Sequence, residues 1–84
     1  MNITFTNNSW EDYLYWQQRD KKILKKINQL IKDIKRDPFK GIGKPEPLKY
    51  EFAGCYSRRI TDEHRIVYDI QETSIVIISC RFHY

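Results

Sequence analysis

The chain has 84 residues, 40% apolar and 31% charged, which suits one small core spanning 1–84 and leaves no room for a second domain. Aromatic residues at 14% and recurrent apolar runs argue against disorder, and no apolar stretch approaches the ~18 residues of a membrane span. Fifteen Lys and Arg against eleven Asp and Glu leave a net charge of +4, which suits a polyanionic partner but does not by itself establish one.

The opening residues, MNITFTNNSW, have neither a basic start nor an apolar signal core, so a cytoplasmic location is expected. Cys55 and Cys80 form no C-x-x-C pair and no zinc-spaced cluster; both are expected to be buried or half-buried free thiols, a disulfide being disfavoured by the expected compartment. Neither a metal nor a cofactor is expected.

Residues 2–6 alternate and predict a strand with Ile3 and Phe5 on one face. Asn7, Asn8 and Ser9 are candidate caps for a first helix running to about Gln18, with Trp10, Tyr13, Leu14 and Gln17 on one face. Tyr15 and Trp16 fall off that face and are free for a neighbouring element or a second copy. Asp20 is the expected cap of a second helix. Ile23, Leu24, Ile27, Leu30, Ile31 and Ile34 recur at helical spacing, and Pro38 ends the helix because the residue before proline avoids helical angles.

Residues 38–47 hold all three prolines and two of the three glycines and predict a loop. Strands are expected over 48–52, 55–60, 64–70 and 74–84. The order β-α-α-β-β-β-β predicts an α+β fold, a mainly antiparallel sheet with a helix pair on one face. Strand alternation then gathers Arg59, Arg65, Arg81 and His83 on the face away from the helices.

Such a face lacks a phosphate-binding glycine loop and a nucleophile elbow. Cations, one histidine and a loop carboxylate, Glu46, suit metal-free RNA cleavage. That reaction needs a base for the ribose 2′-OH, cations for the phosphate and an acid for the departing oxygen.

Five blocks carry a further match: W-E-D-Y-L-Y-W (10–16), K-K-I-N-x-L-I-K-D (25–33), G-K-P-E-P-L-K (43–49), S-R-R-I-T-x-E-H-R-I-V-Y (57–68) and C-R-F-H-Y (80–84). Over essentially its whole length the sequence resembles the YoeB family of toxins, in the RelE/ParE superfamily. The resemblance implies a ribosome-dependent endoribonuclease that cuts mRNA in the ribosomal A site and is neutralised by a YefM-like antitoxin. Operator DNA would be bound only through the antitoxin complex, and a homodimer fits the family.

The resemblance also implies roles. Glu46 matches the general base, His83 the general acid, and Arg65 a group stabilising the phosphate in the transition state. Lys49, Arg59, Glu63 and Tyr84 match substrate-binding or supporting positions. Without it, Glu46 reads as a loop carboxylate paired with Lys44 or Lys49, and Arg59 and Arg65 as cross-strand partners of acidic residues. Two other classes share the fold or the charge: a gyrase-poisoning toxin of the ParE branch, and a non-catalytic RNA- or ribosome-binding module.

The positive charge is uneven, because residues 19–36 carry eight cations against two carboxylates. Lys21, Lys22, Lys25, Lys26, Lys32 and Lys35 on the second helix are the expected contacts to ribosomal RNA, with a solvated helix face as the plainer reading.

Overall fold

The computed structural model describes residues 1–82. Strand β1 (Asn2–Phe5) leads into helix α1 (Asn7–Arg19), and α2 (Lys21–Arg36) follows after a single residue. Asp20 makes that joint possible. Its N–H donates to the Trp16 carbonyl at the end of α1, and its carboxylate accepts from the N–H groups of Lys22 and Ile23 at the start of α2. The expected cap therefore stands. That of α1 does not: Thr6 takes the role, its hydroxyl accepting from the Ser9 N–H at 3.1 Å. Ser9 is instead fully buried, and its own hydroxyl donates to the Ile77 carbonyl at 2.7 Å.

The inner face of α2 is the one its periodicity predicts: Ile27, Leu30 and Ile34 are fully buried, with Ile23, Leu24 and Ile31 packed beside them. Each such aliphatic side chain contributes roughly 1.5–3 kcal/mol through burial. In α1 the buried ring is Trp16, at 6% exposure, while Trp10 is 47% exposed. Trp10 stacks on Tyr13 on the outer side, with Phe5 edge-on to both. Trp16 is therefore committed to the core.

After the loop come β2 (Glu46–Pro47), β3 (Cys55–Arg59), β4 (Arg65–Ile70) and β5 (Ser74–Ser79). They form one sheet in the order β1-β5-β4-β3-β2, antiparallel except for the parallel β1–β5 pair. The expected strand over 48–52 is a turn. Tyr50–Phe52 is a single turn of 3-10 helix, entered with Tyr50 at φ +59° and left through Gly54 at φ +97°. A strand there could not reverse the chain between antiparallel β2 and β3.

The last strand ends at Ser79, well short of the expected 84. A bulge pairs Val67 with Ser79 but Tyr68 with Ile77, so Ile78 has no register partner. That extra residue reverses the alternation. Ile75, Ile77 and then Cys80 belong to the core beneath the helices, whereas Val67 and Ser79 are buried outside that cluster.

Candidate active site on the open face of the sheet

Glu46 sits between Pro45 and Pro47, each of which fixes its own φ and narrows the choices of the residue before it. In β2 it stands opposite Ser57. Ser57 in turn faces Val67, and two residues along Arg59 faces Arg65. Alternation puts Glu46, Ser57, Val67, Arg59 and Arg65 on one face, away from the helices. Two strand spacings across and two residues along separate the Glu46 and Arg65 backbones by about 12 Å. Two long side chains can close on a group the size of a phosphate across that gap. Arg59 and Arg65 are like charges directly opposite one another, an unfavourable pairing unless an anion lies between them.

The loop that delivers Glu46 is tied down from beneath. Arg58, adjacent to Arg59 but on the other face, is fully buried. Its Nη1 meets Asp33 Oδ2 at 2.5 Å and the Ile42 carbonyl at 3.1 Å. Nη2 donates to the carbonyls of Asp37 at 2.6 Å and Lys40 at 3.3 Å. Nε donates to the Tyr68 hydroxyl, which donates on to the Pro38 carbonyl. The Arg58 guanidinium hydrogen-bonded to Asp33 holds that carboxyl below the ordinary range, although partial burial opposes it. Gly43 completes the attachment, its carbonyl accepting from the Arg59 N–H at 2.7 Å. At φ +80°, a Cβ there would lie 2.8 Å from Leu30 Cδ2, so this approach needs glycine.

Arg65 is half-buried, and its Nη1 donates to the carbonyls of Thr61, Asp62 and His64. These are backbone contacts that stiffen the turn before β4, and a guanidinium has five donors in all. Glu63 lies on that turn, its side chain 80% exposed and its carboxylate 3.8 Å from His64 Nε2. Lys49 is exposed, just before the 3-10 turn.

The sequence expectation fails for Arg81. Because of the bulge and the end of β5, its guanidinium lies 3.6 Å over the Tyr15 ring of α1, and it does not join Arg59 and Arg65. Alongside, Asp12 accepts from the Cys80 N–H at 3.0 Å, and burial raises its carboxyl pKa despite that bond and nearby Arg81. Trp16 Nε1 donates to the Cys80 carbonyl at 2.8 Å. His83 and Tyr84 lie outside the described residues.

Of the six α2 lysines, Lys21, Lys22, Lys25, Lys32 and Lys35 are exposed and Lys26 is half-buried. They belong to the helix layer, a surface separate from the Glu46 face. Cys55 and Cys80 are both buried and free, as expected. Among the described residues no three acidic, His or Cys side chains gather as a metal site, and no helix is long and apolar enough to cross a membrane.

Sequence reasoning missed Arg58, Asp12 and Trp16 as supports. Parity did place Arg58 opposite Arg59. A charged residue directed under a helix pair signals a buried partner, and Asp33 is the carboxylate on that helix.

A helix hairpin on one face of a five-stranded mixed sheet is the fold that YoeB-, RelE- and YafQ-type toxins share. YafQ from E. coli strain BL21(DE3) shares this fold at a TM-score of 0.80, with 15% identity, over 98% of this chain and 92% of that one. The chain belongs to the YoeB-like toxin family of bacterial type II toxin–antitoxin systems, whose family model matches residues 5–84. It is 57% identical to Toxin YoeB of Escherichia coli (strain K12) over 84 residues, all of both chains. It is 64% identical to Toxin YoeB of Synechocystis sp. over 84 residues, all of this chain and 98% of that one. A YoeB/ParE toxin from Agrobacterium tumefaciens superposes with a TM-score of 0.97 at 51% identity, covering both chains fully. YoeB of Staphylococcus aureus has been solved as a dimer (TM-score 0.93, 54% identity) and in complex with YefM (0.92, 53%), each match covering 100% of this chain and 98% of that one.

Proposed function

We propose that the protein is a ribosome-dependent endoribonuclease that cleaves mRNA in the A site and so arrests translation. The observation that carries this reading is Glu46 sharing the sheet face opposite the helices with the opposed pair Arg59 and Arg65. A general base and a cationic seat for one phosphate are what 2′-OH attack requires.

In this mechanism Glu46 takes the 2′-OH proton, and the 2′-oxygen attacks the adjacent phosphorus. Arg65, with Lys49 and Arg59, neutralises the charge that builds on the phosphate. His83 protonates the departing 5′-oxygen, and Tyr84 seats the substrate. The products are a 2′,3′-cyclic phosphate and a 5′-OH, and no step calls on a metal or cofactor. The α2 lysines grip ribosomal RNA, leaving the opposite face for mRNA. A YefM-like antitoxin covers the toxin in the cytoplasm, and the complex, not the free toxin, meets operator DNA.

The test is incubation with programmed ribosomes and mRNA, followed by mapping of new 5′ ends. Cleavage within the A-site codon is expected. Glu46→Gln is expected to cut about 10²–10⁴-fold more slowly while still binding ribosomes. Gyrase-dependent DNA breaks, or footprints without cuts, would overturn the proposal.

A further inference from the structure

Beyond Ser79 the chain leaves the sheet, and Phe82 takes φ +63°. A bulky residue in the left-handed region is strained and persists only where its surroundings hold it. Both backbone groups of Phe82 are held by consecutive residues. Its N–H donates to His64 Nδ1 at 2.7 Å, and its carbonyl accepts from the Arg65 N–H at 2.8 Å. The imidazole is itself fixed. It is 8% exposed, it lies 4.8 Å edge-on to the Trp16 ring, and its backbone N–H donates to Thr61 Oγ1. Because Nδ1 accepts, the ring proton resides on Nε2, the nitrogen that faces Glu63.

We infer that His64 is a positioning residue for the cleavage reaction: its unprotonated Nδ1 fixes the Phe82 peptide, and Phe82 immediately precedes His83 in the sequence. It touches no substrate atom. The inference rests on the nuclease reading above, in which His83 is the acid. It also gives the exposed, strained Phe82 a purpose, since the unfavourable backbone angle keeps the peptide aimed at the imidazole.

The chemistry of the acceptor supplies the test. An Asn carbonyl oxygen falls near the position of Nδ1 and can accept the same N–H. The Gln oxygen reaches toward Nε2, and Phe fills the space with no acceptor. Full-length His64→Asn, His64→Gln and His64→Phe are to be compared in single-turnover cleavage on programmed ribosomes. In parallel, the Phe82 amide resonance is to be followed in the free protein. His64→Gln and His64→Phe are expected to cut about 10–100-fold more slowly, the cost of a misplacement near 1 Å, with ribosome affinity unchanged. His64→Asn is expected to recover most of the rate and to keep the low-field, slowly exchanging Phe82 amide that the other two lose. Equal impairment of folded Asn and Phe variants, or parental activity in the Phe variant, overturns the inference. A parental protein that cuts nothing overturns the nuclease reading alone, because the Phe82 amide still reports whether His64 holds it.

Discussion

Replacing Arg58 by Met removes the guanidinium and keeps much of its volume. Its five hydrogen bonds go to Asp33, Tyr68 and three loop carbonyls. What remains sets the cost. The loop about residues 40–42 is exposed, so its carbonyls can turn to water. The Asp33 carboxylate, with its side chain 17% exposed, keeps Arg36 and some access to water. Breaking a buried pair from one side costs roughly 3–5 kcal/mol, and the residual partners place this one at the lower end, about 3 kcal/mol. A chain of 84 residues has roughly 4–13 kcal/mol of stability in all. The loss is thus a large fraction of the total and corresponds to a melting temperature lower by about 12–24 °C. Urea unfolding followed by tryptophan fluorescence measures it. Asp33→Asn, alone and with Arg58→Met, closes a double-mutant cycle whose coupling is expected near 2 kcal/mol. The pH dependence gives a second handle. The folded Asp33 pKa is lowered, so its contribution is present above the ordinary carboxylate value and is lost as pH falls through the lower, folded one. Parent and Arg58→Met should therefore converge in stability only in that acid range. An Arg58→Met loss under about 1 kcal/mol, or strict additivity in the cycle, would refute the reasoning.

Two further outcomes follow from the tail and the thiols. Asp12 has a raised pKa, so its charge costs stability as pH climbs past the ordinary carboxylate range. Asp12→Asn, which keeps an acceptor for the Cys80 N–H, should be at least as stable as the parent at pH 7. Its advantage should shrink on acidification, and chemical denaturation across pH checks this. Burial pushes the Cys80 thiol up to about 12 and raises Cys55 as well, so native protein at pH 8 should resist iodoacetamide at Cys80 until it is unfolded, as read by mass spectrometry.

The parts of the fold legible in the sequence were those governed by local rules. Helix α2 was legible because six aliphatic residues repeat at helical spacing between the cap Asp20 and Pro38. Helix α1 was legible as a helix but not in its orientation. Trp10, Tyr13, Tyr15 and Trp16 put aromatic rings nearly all round it, and only the Cys80 carbonyl waiting for an indole N–H selects Trp16. The β5 run SIVIIS continues into residues that favour strands equally, so nothing local marks the bulge at Ile78 or the exit after Ser79. Arg81 was misplaced for that reason: one extra residue moved it from the open face to α1. Of the candidate site, Glu46 and Arg65 were legible through their motifs. Their common face followed from register with β3, which the composition of a two-residue strand does not announce.

The supports of the site share a location that explains why they escaped notice. Arg58 and Asp33 hold the loop that carries Glu46, while Trp16, Asp12 and His64 hold residues 80–82. All of them act from the helix side of the sheet or its margin, whereas Glu46, Arg59 and Arg65 face the other way. The candidate site sets the like charges Arg59 and Arg65 directly opposite each other, and that arrangement works against stability. The opposing layer supplies satisfied polar contacts, a buried Arg58 and a closely packed aliphatic core. A small domain can keep an unfavourable charge arrangement on one face only if the residues behind it are over-determined. It follows that damage to Arg58 should disorder the Glu46 loop before it unfolds the sheet. In hydrogen exchange on Arg58→Met, the Ile42 amide, which donates to Asp33, should lose protection well ahead of the amides of β4.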